Sequence, residues 1–340
     1  MSSNASKPAG RKATLAAVQA VPAALDLEGG LDIVEERTRA AAKDGAEIVV
    51  FGEAFLGGFP VFMLVGGMPF QAQFVPRLYE NAIVQGSPEM ARLERIARET
   101  RCTLVVGAHE RVGGTLYNAQ LYVGPDGLLG IHRKVKPTLM ERSVWGEGDG
   151  SGLIVVPSPV GPLGGLCCWE NLMPHIRSAL YAQGEVLHVL QWPFFSAPMP
   201  WAFGRDACLG IGRHIAIESG AWTVSVSQMI SQEQIDTLEA AGGAPGVLAP
   251  GGGGTEVVSP LRGPVGTLDP DEEGTLLVEI DPDDCLLAKH FHDGVGHYSR
   301  PDIARLTVDL RARTTTTLVH GSEPEPVGVT ESESAATDAE

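Results

Sequence analysis

Hydrophobic positions along the chain switch repeatedly between two periods. Ala13 to Ala20 is an apolar run of strand length, and from Leu27 to Lys43 the residues Leu27, Leu31, Val34, Ala41 and Ala42 recur roughly at helical spacing. A strand pattern over Glu47 to Phe51 follows, then a helix pattern over Glu89 to Thr100. Strands over Thr103 to Gly107 and Gln120 to Val123 lead to a Pro125-Asp126-Gly127 turn. Leu153 to Val156 and Gly164 to Cys167 read as further strands. The second half repeats the theme, with helices near Pro174 to Gln183 and Arg205 to Ser219 and strands at Val186 to Leu190 and Thr223 to Ser227. Short buried strands alternating with helices predict an α/β layered domain. Pro250 to Gly254 and Asp281-Pro282-Asp283 read as loops inside it. Residues 1–12 read as a flexible N-terminal segment, 13–313 as one domain, and 314–340 as an acidic disordered tail. That tail has four consecutive threonines, scattered Pro and Glu, and no apolar periodicity.

Composition narrows the partners. The formal net charge is −17, with six acidic residues and no Lys or Arg in the tail, so neither nucleic acid nor an anionic membrane surface is expected. Five cysteines, Cys102, Cys167, Cys168, Cys208 and Cys285, show no CxxC and no Cys/His spacing suited to zinc. The opening residues MSSNASKPAGRK lack an apolar signal-type core, and no apolar run is long enough to span a bilayer. A reduced, cytoplasmic protein with free thiols is the expectation.

Three segments carry candidate chemistry. Cys168 stands where the apolar strand ending at Cys167 gives way to a helix after Pro174, at a strand's carboxyl edge, where α/β proteins place ligands. Backbone N–H groups and a helix N-terminus there would lower a thiol pKa, although a cysteine on its own is more often a buried, inert thiol. Glu53 leaves the strand end of Val49-Val-Phe-Gly-Glu-Ala-Phe amid Phe51, Phe55 and Phe59, and desolvation there would raise its pKa toward the range of a general base. Residue type alone does not separate that reading from a solvated loop carboxylate. Lys134, in His132-Arg-Lys-Val-Lys-Pro-Thr138, lies in a basic run of a kind usually solvated. Held near a thiolate it would stabilise an anionic tetrahedral intermediate, with Glu141 orienting it.

In this order the Glu53 segment, HRKVKPT with Glu141, and Cys-Trp-Glu resemble the nitrilase superfamily of carbon-nitrogen hydrolases, and within it the nitrilase branch. The resemblance covers roughly residues 13 to 305. Leu116-Tyr-Asn-Ala, Trp145-Gly-Glu-Gly-Asp-Gly and Gly296-His-Tyr-Ser-Arg-Pro-Asp302 fit the same family. It implies an α-β-β-α sandwich, dimerised and in many members extended into spirals or filaments. It further implies Glu53 as general base, Lys134 as the cation of the intermediate, Cys168 as nucleophile and Glu141 as a supporting carboxylate. Trp169, Glu170 and Trp192 are the expected substrate-binding residues, no metal or organic cofactor is called for, and the small-molecule substrate is a nitrile. The alternatives are an amidase or carbamoylase on the same triad, or a non-catalytic scaffold member. His297 reads as structural. His175, where relatives usually show an apolar residue, and the Gln191-Trp192-Pro193 and Met199-Pro-Trp201 stretches point to an unusual specificity pocket.

Successive strand residues face opposite sides, so Cys167 and Cys168 divide, with Cys168 in the site and Cys167 packed as a small hydrophobe. Lys134→Gln is expected to cost turnover with little effect on folding. Deleting Thr314 to Glu340 should leave thermal stability and specific activity nearly intact, because the segment has no apolar face with which to pack; a large fall in melting temperature would contradict this.

Overall fold

The computed structural model describes residues 10–196 and 200–313. The tail and Met199 lie outside them. In chain order the elements are β1 (Ala13–Gln19), α1 (Leu27–Lys43), β2 (Ala46–Val50), three short helices α2 (Phe62–Val65), α3 (Met68–Gln71) and α4 (Val75–Glu80), then α5 (Pro88–Thr100). β3 (Thr103–Val112), β4 (Thr115–Gly124) and β5 (Gly127–Arg133) form a meander, and β6 (Val156–Ser158) and β7 (Gly161–Cys167) follow. The remainder is α6 (Pro174–Tyr181), β8 (Leu187–Trp192), α7 (Arg205–Ser219), β9 (Trp222–Ser227), α8 (Gln232–Ala240), β10 (Glu256–Ser259), β11 (Gly263–Thr267), β12 (Gly274–Ile280) and α9 (Pro282–Phe291).

These strands make two six-stranded sheets, ordered β12-β1-β2-β3-β4-β5 and β11-β10-β9-β8-β7-β6. Each is built on three parallel strands, β1, β2 and β3 in one and β7, β8 and β9 in the other, flanked by antiparallel neighbours. Strand periodicity assigns the layers. In β1 and β2, Leu15, Ala17, Ile48 and Val50 enter the core between the sheets, where they meet Leu187, Val189 and Val224. The alternate residues Ala16, Val18 and Val49 pack outward on Leu31, Val34 and Leu93 of α1 and α5. On the other face Leu190 and Trp192 pack on Cys208 and Ile215 of α7. Two apolar faces per sheet require two covering layers, and the result is an α-β-β-α sandwich.

Several boundaries follow local chemistry. Asp26 caps α1 by accepting from Gly29 N–H, and Ser87 caps α5, whose first residue is Pro88. The Asp281-Pro282-Asp283 segment, read from sequence as a loop, starts a helix instead: Asp281 accepts from Asp283 N–H and Pro282 occupies the first turn of α9. Of the strand expected over Leu153 to Val156 only Val156 pairs, in β6, because a 3₁₀ turn at Gly150–Gly152 occupies the approach. Arg11 and Lys12, placed by sequence in a flexible segment, pair with Glu47 and Asp281, and Arg11 N–H donates to Pro159 O at 2.9 Å.

The carboxyl ends of β2 and β8 meet at one edge of the sandwich. Gly52 permits the approach: a Cβ there would lie 2.5 Å from Gln228 N and 3.2 Å from Trp192 O. Gln191 Nε2 donates to Phe51 O at 2.8 Å, Glu53 N–H donates to Trp192 O at 3.1 Å, and Gln228 donates to Glu53 O. The two sheets are thus bonded together where Glu53 leaves the first.

Candidate active site

Glu53, Lys134 and Cys168 arrive from three different strand ends. Glu53 follows β2, Lys134 follows β5 with its N–H bonded to Asn118 O at 2.8 Å, and Cys168 begins a 3₁₀ turn (Cys168–Leu172) directly after β7. Lys134 is fully buried. Its Nζ lies 2.8 Å from Glu53 Oε1 and 2.7 Å from Glu141 Oε2. Glu141 is held in turn by a capping box, accepting from Thr138 N–H at 2.7 Å at the start of the Leu139–Ser143 turn. Asn118 Nδ2 donates to Glu53 Oε1 at 2.6 Å, while Glu53 Oε2 is buried with no hydrogen-bond partner among the described residues. A carboxylate oxygen from each of Glu53 and Glu141 and the Cys168 Sγ lie within 4.8 Å of one another.

Burial governs the protonation states. It pushes Glu53 up to about 7, against the Lys134 ammonium, which lowers it. For Lys134 burial alone would favour the neutral amine, but Glu53, Cys168 and Glu141 outweigh it and hold the ammonium charged well above its ordinary range. The Cys168 thiol is raised well above its ordinary value, first by burial and then by Glu53, with Lys134 opposing. This corrects the expected depression. The sequence reading placed a helix N-terminus behind the thiol, but the 3₁₀ turn intervenes and α6 starts only at Pro174. The resting group is therefore a thiol beside a carboxylate able to take its proton.

Backbone strain gathers here. Among the described residues five non-glycine positions have left-handed φ, and three of them are Ala54, Leu139 and Cys168, adjoining or within the three segments. Asn171 restrains the Cys168 turn, its Nδ2 donating to Leu166 O at 3.1 Å and Cys168 O at 2.8 Å, with its Oδ1 2.9 Å from His188 Nε2.

Cys168 opens into a cavity of about 120 Å³ whose walls include Trp169, Trp192, Phe194, Phe203 and Met140, with Trp169 stacked on Phe203 at 4.1 Å. A larger cavity of about 450 Å³ lies beyond Phe59 and Phe194, which line both, but it holds none of the titratable groups above. Chemistry, not size, places the site in the smaller one. Glu170, expected at the substrate, does not line it: its carboxylate accepts from Val135 N–H and Cys167 N–H and pairs with His132. Cys167 is buried away from the cavity, His175 is exposed on α6, and His297 is exposed with Nε2 2.9 Å from Lys289 O. Asn118 had no role in the sequence reading, although its Leu-Tyr-Asn-Ala segment stood out.

The sequence model of the family described as carbon-nitrogen hydrolase matches residues 14–289. The chain belongs to the carbon-nitrogen hydrolase family. It is 34% identical to an arylacetone-specific nitrilase of Alcaligenes faecalis over 92% of this chain and 90% of that one. It is 38% identical to an aliphatic nitrilase of Rhodococcus rhodochrous over 88% and 83%. Nitrilase 1 of Arabidopsis thaliana is 37% identical over 86% of each. Among solved structures, a carbon-nitrogen hydrolase from Helicobacter pylori superposes with a TM-score of 0.70 at 17% identity, covering 86% of this chain and 97% of that one, a likeness of fold.

The burial of Lys134 changes the expectation that its removal spares folding. Lys134→Gln strips the cation from two enclosed carboxylates, and breaking such a pair typically costs about 3–5 kcal/mol. Without Lys134 the folded-state pKa of Glu53 moves further above its unfolded value. Such a group contributes stability fully below the unfolded pKa and loses it as pH rises through the folded one. Melting temperatures of Lys134→Gln should therefore fall below wild type at pH 8 and recover toward it near pH 5 (both ~); equal deficits at both pH values would contradict this coupling.

Proposed function

We propose that the protein hydrolyses an organic nitrile to the carboxylic acid and ammonia. The observation that carries the reading is the unpartnered Glu53 oxygen and the Cys168 thiol meeting beside a buried ammonium at an apolar, aromatic cavity. The 33–38% identity to several nitrilases over most of the chain supports it.

In this reading Glu53 takes the Cys168 proton as Sγ bonds to the nitrile carbon, and the proton passes to nitrogen, giving a thioimidate. Water adds next, Glu53 passing its first proton and, on collapse, its second to nitrogen and so returning to the carboxylate, while Lys134 stabilises the charge of the tetrahedral intermediate. Cleavage of the C–N bond releases ammonia and leaves a thioester. A second water, again deprotonated by Glu53, breaks the C–S bond and returns the thiol with the acid. If the C–S bond breaks before the C–N bond, an amide leaves instead. The aromatic walls favour an apolar nitrile, with Trp169 and Trp192 as substrate contacts. Five unpaired thiols among the described residues support a reducing, cytoplasmic setting. Exposed Ile217, Leu286 and Phe291 on α7 and α9 support a homodimer, and filaments would build on it.

Two measurements test the reading. The base must be ionised, so kcat/KM should rise with pH through an apparent pKa of about 7. A flat profile between pH 5 and 8 (both ~) would remove Glu53 as the base. Rapid quenching with intact-protein mass spectrometry should show a substrate-sized adduct on wild type and on Cys167→Ala but none on Cys168→Ala. An adduct mapped to Cys167, or hydrolysis of matched amides with no hydrolysis of nitriles, would overturn the assignment.

A further inference from the structure

The steps above leave unused a buried pair that adjoins the reacting residues. His132 precedes Lys134 by two residues in β5, Glu170 follows Cys168 by two in the 3₁₀ turn, and both side chains are buried. His132 Nε2 is 2.9 Å from Glu170 Oε2, and its Nδ1 is 3.0 Å from Gly152 O. Both ring nitrogens face acceptors, and only an imidazolium donates from both. Glu170 Oε1 accepts from Val135 N–H at 2.6 Å, and Oε2 also accepts from Cys167 N–H at 2.9 Å. Those amides belong to the residues next to Lys134 and next to Cys168. One carboxylate therefore bonds both backbones that deliver the reacting groups.

The groups facing His132 are Glu170 from the turn, Cys167 from the end of β7 and Lys134 from just past its own strand, with neutral Gln120 opposite in β4. Burial favours the neutral ring, but Glu170 and the Gly152 carbonyl outweigh burial and Lys134 and raise the His132 pKa. His132, Cys167 and Glu170 have the residue types of a metal site. However, both ring nitrogens and both carboxylate oxygens are already committed to hydrogen bonds, and burial holds the Cys167 thiol neutral.

We propose that His132 and Glu170 are a positioning pair that sets the Cys168 turn against the Lys134 strand. The proposal rests on Cys168 and Lys134 being the reacting residues. The imidazolium is the working form: as pH rises through its raised pKa the ring loses its charge and can donate from only one nitrogen, so it no longer bonds both Glu170 and Gly152 O, and the setting loosens.

Nitrogen-15 NMR of the full chain labelled at histidine, with His132→Gln to assign the signal, should show a ring that keeps its charge to higher pH than an ordinary histidine does. In Glu170→Gln that signal should become neutral. Each variant should lower kcat by roughly 10- to 100-fold, the scale of an ångström-level misplacement, with KM within about twofold. The double variant should be little worse than either single one, as expected of residues acting as a unit. Iodoacetamide alkylation of Cys168 should slow in both variants, a readout that needs no substrate. A wild type inert to every nitrile that still shows the charged ring and the slowed variants would overturn the activity but not the pair. A neutral His132 at pH 7 (~) in wild type, kcat and alkylation unchanged with only a lower melting temperature, or a rise in KM alone would each overturn the pair. If Glu170→Gln does not fold, His132→Gln and the wild-type spectrum still decide.

Discussion

The ammonium of Lys134, enclosed between Glu53 and Glu141, is the interaction on which the site depends. Taking an ion out of water costs several kcal/mol even after relaxation, and only close, well-oriented partners offset it. Those partners come from distant parts of the chain. Glu53 leaves the end of β2, Asn118 sits in β4, Lys134 follows β5, and Glu141 is presented by a capped turn. A sheet that brings β2 to β5 side by side, closed over by a second sheet at the same edge, meets that demand. The bonds from Gln191, Gln228 and Trp192 to the Phe51–Glu53 backbone fasten the second sheet there.

Charge balance follows from the same enclosure. One ammonium faces two carboxylates and a thiol, and deprotonating the thiol while both carboxylates are ionised would leave three anions around one cation in a desolvated space. The thiol is accordingly raised and Glu53 is poised near 7. Proton transfer between them need not change the net charge of the cluster, which is why base-assisted attack fits this site better than a standing thiolate.

Much of the scaffold was readable from periodicity. The bounds of α1 and α7 agree with the helical patterns, and the strands ending at Val50 and Cys167 were visible as apolar runs. The flanking strands β5, β10, β11 and β12 were not singled out. β11 and β12 are only partly buried and carry glycine and polar residues, so their apolar signal is thin. Glu53, Lys134 and Cys168 were legible because each follows a strand and their order matched a family. Glu170 was misplaced for a physical reason. It was expected at the substrate with its neighbour Trp169, but the 3₁₀ turn aims it at the Val135 and Cys167 amides and His132 instead. The thiol pKa was misjudged at the same turn, since a helix dipole was invoked where none stands.

That turn also explains why the strained residue is tolerated. Cys168 sits at φ +50°, a conformation that costs a non-glycine residue of order 1 kcal/mol or more. A glycine would relieve the strain but bring no thiol, so the geometry must be imposed from outside. It is imposed twice. Glu170 bonds the amide before Cys168, and Asn171, backed by His188 and Glu185, bonds the carbonyl of Cys168 itself. Strain held by two independent buried networks fixes the thiol's direction before substrate enters, so the ordering cost is met in folding rather than in the reaction.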